Sequence, residues 1–134
     1  KGTIDAVKWL LEKGACVNTL QGGYSALCAA VESDQDAQAK VELLLEHGAD
    51  VNVTHENQAT ALQRASSQGR TQLVKLLIDN GADVNLTGGD LDSVLNAAIR
   101  TGSDLATIGL IIKKTDVSRA GRDGRLPIHI AAIS

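Results

Sequence analysis

The 134-residue chain carries 13 Lys and Arg against 16 Asp and Glu, a formal net charge of −3, and 43% of its residues are hydrophobic. That balance gives no overall attraction to a polyanion, so neither non-specific nucleic-acid binding nor attachment to an anionic membrane is expected. No apolar run approaches the roughly 20 residues that span a bilayer, and no secretory leader is visible. The two cysteines, Cys16 and Cys28, lack C-x-x-C spacing, which points to reduced thiols in the cytoplasm or nucleus. With one Trp, one Tyr and no Phe, small and aliphatic side chains must fill the core, as thin, closely stacked helices require.

The chain is organised by a recurring ending, L-L-x-x-G-A-x-V-N at residues 10–18 and 44–52 and L-I-x-x-G-A-x-V-N at 77–85, with its glycine at Gly14, Gly48 and Gly81. A period of 33 to 34 residues holding two short helical patterns is the mark of a solenoid, in which each unit contacts only its neighbours. Residues 1–18 are the second part of a unit, with Ile4, Val7, Leu10 and Leu11 at helical spacing. Trp9 stands where later units carry Leu43 and Leu76 and is expected in the core or on an uncovered end of the stack. The second unit, 19–52, opens its first helix with S-A-L-C-A-A-V and closes its second around Val41. Between them lies an acidic link two residues longer than its counterpart, expected to lengthen a loop or a helix end.

The third unit, 53–85, is the most regular. Leu62 and Ala65 are expected to face the stack from its first helix, and Leu73, Val74, Leu76, Leu77 and Ile78 from its second. Gly69 separates the two helices, and Gly81 ends the second where positive φ is needed. The fourth, 86–118, keeps S-V-L-N-A-A-I and then Ile108, Leu110, Ile111 and Ile112. It loses the closing G-A and has Gly109 inside its second helix, so it is expected to be the softest unit. Residues 119–134 begin a fifth with L-P-I-H-I-A-A, where Pro127, the only proline, suits a first helical turn. The ends leave Val7, Leu10, Ile128 and Ile130 without neighbours, and self-association at high concentration is expected.

The period, the endings and L-P-I-H-I-A-A together resemble the ankyrin repeat family from end to end of the chain. The resemblance implies an all-α repeat solenoid, helix-turn-helix pairs joined by β-hairpin-like loops, as one domain over 1–134 with a part unit, three whole units and a part unit. It also implies that His129 holds a neighbouring hairpin by a hydrogen bond. Elsewhere the family's T-P-L-H is replaced by S-A-L-C, T-A-L-Q and S-V-L-N, leaving Ser25, Thr60 and Ser93 to supply hydroxyls and implying modest stability. The openings Q-G-G-Y-S-A-L-C-A-A and T-G-G-D-L-D-S-V-L-N-A-A are similar to a variant common in fungal ankyrin arrays, many of them attached to a nucleotide-binding NACHT-type domain.

Catalysis is not expected. His47, His55 and His129 fall in different units without metal-ligand spacing. Asp34 with Asp36, and Asp90 with Asp92, lie in polar links where nothing would tune a pKa. The Gly22-Gly23, Gly88-Gly89 and Gly121–Gly124 stretches match no phosphate-binding pattern and read as turns. No cofactor and no metal is expected.

What remains is surface recognition. By motif position, the family's concave groove would here present Tyr24, Glu32, His55, Glu56, Asn57, Gln68, Asp90, Asp92, Arg100, Arg122 and Arg125, with Gln21, Ser33, Thr54, Ala59, Ser67, Thr101 and Asp123 beside them. Tyr24 is the leading anchor, because tyrosine is enriched at binding hot spots; Arg100 and Arg122 follow. Charge also shifts along the chain, from Glu32, Asp34, Asp36, Glu42, Glu46 and Asp50 to Lys113, Lys114, Arg119, Arg122 and Arg125. The expected function is a non-catalytic scaffold for a protein or peptide partner. The rival is a sensor or autoinhibitory arm of a larger multidomain ATPase or other enzyme, contacting its own chain.

Overall fold

The structure, a computed structural model, describes residues 2–20, 25–34, 36–53, 59–86, 94–114 and 127–133. These residues hold eight helices: α1 (Gly2–Glu12), α2 (Ala26–Glu32), α3 (Ala37–Glu46), α4 (Ala61–Ser67), α5 (Thr71–Asp79), α6 (Val94–Arg100), α7 (Leu105–Ile112) and α8 (Pro127–Ile133). None of the described residues is in a strand, and the hairpin-like loops expected between units fall largely outside them.

A seven-residue helix is far below the length of about 12 residues at which isolated helices become even marginal in water. The short helices here persist by stacking. The even-numbered helices form one layer, α2 on α4, α4 on α6 and α6 on α8, and the odd-numbered a second, α1 on α3, α3 on α5 and α5 on α7. Within a unit the layers meet: α2 packs on α3, α4 on α5 and α6 on α7. One apolar strip runs between them. Leu27, Leu62 and Leu95, at the same place in successive units, are all buried, as are Ala30, Ala65 and Ala98 from the next turn. From the second layer Val41 and Val74 meet them, with Leu44 and Leu77 one turn on. On α5 the buried positions 73, 74, 77 and 78 form one stripe, while Gln72, Lys75 and Asp79 face solvent. Leu76 is only half-buried.

Each helix is started and stopped by its own residues. Ser25 caps α2, its hydroxyl accepting from the Cys28 N–H at 3.1 Å. Thr60 and Gln63 form a reciprocal capping box on α4. Gly81, at φ +91°, ends α5 with Ala82 N–H donating back to the Leu77 carbonyl at 3.0 Å; Gly48 repeats this geometry at φ +86°. The insertion in the second unit is split. It adds one residue to the 33–36 link and one to α3, relative to the 68–70 link and α5. Where Gly69 takes positive φ in the third unit, the second reverses instead at Asp36, φ +55°.

Leu10, on the apolar face of α1 and expected to lack neighbours, is half exposed. One expectation of burial is corrected. Ile112 ends α7 and is exposed, since the strip closes at Ile111. Trp9 is exposed, with Lys13 Nζ 5.7 Å from its ring centroid.

Candidate functional site

The units are fastened to each other at two edges, and this decides which polar residues face outward. At the far edge of the second layer an asparagine ladder ties each turn to the next. Asn18 Nδ2 donates to the Gly48 carbonyl at 3.2 Å, and its Oδ1 accepts from Asp50 N–H at 2.7 Å. Asn52 makes the same pair with Gly81 and Asp83 at 3.2 and 2.7 Å, and Asn85 Nδ2 donates to the Lys114 carbonyl at 3.2 Å. Asp50 and Asp83 in turn accept from the Asn52 and Asn85 N–H groups. The recurring N of the V-N ending is therefore a fastener between units, with both amide atoms used at Asn18 and Asn52, a role its regular recurrence does not reveal by itself.

At the other edge lie the C-terminal ends of the first-layer helices. Two rows of side chains run across the units there: Glu32, Ser67 and Arg100, then Ser33, Gln68 and Thr101. Gln68, Arg100 and Thr101 are exposed. Thr101 Oγ1 lies within hydrogen-bonding distance of three carbonyls, Ala97 and Ala98 of its own helix at 2.9 and 3.3 Å and Ser66 of the preceding unit at 3.2 Å. Glu32 is paired with Arg64 of α4, whose side chain is mostly buried. Arg70 adds a second tie, Nη1 donating to the Ser33 carbonyl at 2.7 Å with Nη2 3.8 Å from Asp34. Lys40 Nζ donates to Ser33 Oγ at 2.8 Å.

Of the residues expected to meet a partner, Glu32, Gln68 and Arg100 lie on this edge, one on each of three successive units. Tyr24, His55, Glu56, Asn57, Asp90, Asp92, Arg122 and Arg125 lie outside the described residues, as do Gln21, Thr54 and Asp123. Ala59 is corrected: it is buried, with Cys28 Sγ 3.9 Å from its carbonyl oxygen. Arg64 and Arg70 were not anticipated. The signal was available for Arg64, which is the one charge in a column otherwise filled by Ala29 and Ala97. Cys28 is buried and Cys16 exposed; hydrogen bonds from the Thr19 hydroxyl and the Asn18 backbone hold the Cys16 thiol below its ordinary pKa. His129 is exposed on α8. Among the described residues no three His, Cys, Asp or Glu gather at metal-binding distance, and no helix is long and apolar enough to cross a membrane.

Two layers of short helices in register, tied unit to unit by the same asparagine, define a helical repeat, and sequence models of known families give it a name. The one described as ankyrin repeats (3 copies) matches residues 1–88, and the one described as ankyrin repeats (many copies) matches residues 65–112. The chain belongs to the ankyrin repeat family. Ankyrin repeats generally mediate protein–protein interaction and are typically non-catalytic. A search of curated proteins returned no match.

Proposed function

We infer that this ankyrin chain is an interaction module that takes a protein or peptide partner along the exposed ends of its first-layer helices and the loops before them, the concave face of the solenoid. The observation that supports this is the contrast along α2, α4 and α6. Their leucine and alanine columns are buried alike from unit to unit, while the adjoining rows change from Glu32 to Ser67 to Arg100 and from Ser33 to Gln68 to Thr101. A repeat scaffold that keeps its buried columns and varies its edge offers a partner a different chemical group every unit. Tyr24, His55, Glu56, Asn57, Asp90, Asp92, Arg122 and Arg125 extend the proposed surface on the strength of their motif positions. Glu32 has a second duty in the Arg64 pair, so its substitution would disturb both recognition and stacking.

The test is affinity capture from a lysate, comparing the unaltered chain with Gln68→Ala plus Arg100→Ala and with Tyr24→Ala plus Arg100→Ala, after circular dichroism establishes that all three fold. A protein retained by the first and lost by both double variants supports groove recognition. Equal retention by all three sinks the assignment. The Q-G-G-Y-S-A-L-C-A-A and T-G-G-D-L-D-S-V-L-N-A-A openings favour a second reading, an arm that contacts its own NACHT-bearing chain; it requires a phosphate-binding nucleotide domain elsewhere in the same polypeptide, and binding to that domain in trans would be its test.

A further inference from the structure

The outer side of the second layer, turned away from the first, is polar on α1, α3 and α5 and apolar on α7. On α5, which has α3 on one side and α7 on the other, Gln72, Lys75 and Asp79 lie opposite the buried stripe of 73, 74, 77 and 78 and are exposed. The same places on α3 hold Ala39, Glu42 and Glu46, and on α1 Asp5, Lys8 and Glu12, all of them exposed. α7 has Leu105, Ile108 and Ile112 there. Leu105 is 86% exposed and Ile112 44%, with Ile108 half-buried between them.

Stacking against neighbouring units does not cover this face. α3 and α5 each have a second-layer helix on both sides, and their outer places are exposed all the same. A further unit stacked on α7 would leave Leu105 and Ile112 in solvent, as α7 leaves Gln72 and Asp79. Ala106 and Leu110 stand at the places of the buried Leu73 and Leu77 and form no part of the stripe. A helix that is apolar on its outer face as well as its inner one is expected to be covered on both. Gly109 adds room beside the stripe. It stands where α3 and α5 carry Leu43 and Leu76, and a Cβ built there meets nothing within 4 Å.

The charges at the two ends of the stripe point to what covers it. Asp104 precedes α7 and Lys113 and Lys114 follow it, all three exposed. The adjoining outer places of α5 carry one charge of each sign, Lys75 and Asp79, so the contrast between the ends comes from α7 itself. A second α7 laid antiparallel on the first sets each Asp104 beside Lys113 and Lys114 of the other copy, whereas a parallel one sets like charges together. We propose that the chain pairs with a second copy of itself through this stripe, α7 against α7 antiparallel, with Ile108 near the two-fold axis and Leu105 of each copy against Ile112 of the other. The contact is isologous and closes at a dimer. The recognition edge belongs to the first layer, so a dimer formed this way presents it twice and favours a partner with repeated sites. The pairing itself does not depend on what that edge binds.

Sedimentation of the whole 134-residue chain over a concentration series tests this with two variants. The first, Leu105→Gln with Ile112→Asp, gives α7 the residues that α5 carries at those places and alters only exposed side chains. The second is Lys113→Glu with Lys114→Glu. Circular dichroism establishes that both fold. The unaltered chain is expected to rise from 14.0 kDa to twice that mass and level off. The first variant is expected to stay monomeric. The second sets Glu against Asp104 at both ends of the contact and is expected to raise the dissociation constant roughly tenfold or more. Four results would overturn the proposal. One is a monomer at every concentration, which, if it sediments with phosphatidylserine vesicles only through an intact stripe, gives the face to a membrane. Another is association that the first variant leaves undiminished, which assigns it to other surfaces. The third is stripe-dependent growth past two copies, and the last is a second variant that pairs as tightly as the unaltered chain, which excludes the antiparallel arrangement.

Discussion

The third and fourth units share a plan and differ in how their helices are finished. α4 opens on the Thr60–Gln63 box, with Gln63 N–H donating to Thr60 Oγ1 at 3.1 Å and Thr60 N–H to Gln63 Oε1 at 2.9 Å, and α5 closes on the left-handed Gly81. α7 opens on Asp104, which accepts from Thr107 N–H at 3.2 Å, carries Gly109 in its middle, and runs out at Lys113 in a right-handed conformation. Thr107 also replaces the valine that Val41 and Val74 supply in earlier units, at equal depth. The path of the solenoid is thus maintained by the buried columns, which the two units share. Local stability is set by starts, stops and interior glycines, which they do not.

Removing a column side chain should break the comparison most severely. Leu77 is fully buried, and Leu77→Ala is expected to cost about 2–5 kcal/mol by lost transfer energy and a residual cavity. The equivalent Leu110 is only half-buried, and Leu110→Ala is expected to cost clearly less. Urea unfolding of the two variants measures both, and equal losses would mean that the third unit is no better packed than the fourth. Next in size is the ladder. Asn52→Ala forfeits two bonds between units at a partly exposed edge, a loss of about 1 kcal/mol. Asn52→Asp should be no milder, since a carboxylate can accept from Asp83 N–H but has nothing to donate to the Gly81 carbonyl; a silent Asn52→Asp would show that the ladder contributes nothing.

Much of this was legible because a repeat states its own alignment. The columns Leu27, Leu62 and Leu95, and the closing glycines Gly48 and Gly81, are apparent from spacing alone, since burial and positive φ each admit few residue types. Ile112 was misjudged for the converse reason: helical spacing identifies a face but not whether another helix covers it. Of the recognition edge, Gln68 and Arg100 were found by motif position. The tie from Arg64 to Glu32 was not, because an ion pair between residues 32 apart leaves no local pattern. The asparagine ladder escaped notice because invariance along the chain reads as packing or turn chemistry until both amide atoms are given partners.

The two glycine environments should respond to the same substitution with opposite sign. Gly109 stands where Trp9, Leu43 and Leu76 stand in other units, and a Cβ built there meets nothing within 4 Å. Gly109→Ala is therefore expected to stabilise the chain by about 0.5–1 kcal/mol through helix propensity. Gly81 also has open space around it, but its φ of +91° is unfavourable for any side chain, so Gly81→Ala is expected to destabilise by about 1 kcal/mol. Thermal melts of both decide the matter. A stabilising Gly81→Ala would show that steric room rather than backbone conformation governs the closing turn.

The smallest expected effect separates the two units by pH. The Thr107 side chain beside Asp104, the Thr107 backbone N–H and the charge of Lys75 hold the Asp104 carboxyl below the ordinary carboxylate range. A carboxyl that ionises more readily in the folded chain than in the unfolded one stabilises the fold at pH values above its unfolded pKa, and that contribution is lost as pH falls through the lower, folded value. Thr60, which caps α4, does not titrate. Acidification from neutrality toward about pH 3, below the usual aspartate value, should therefore lower hydrogen-exchange protection in α7 more than in α4, and Asp104→Ser should retain a cap while flattening the difference. If α4 and α7 lose protection in parallel, or if Asp104→Ser leaves the divergence intact, the pH response of the fourth unit arises from some carboxyl other than its cap.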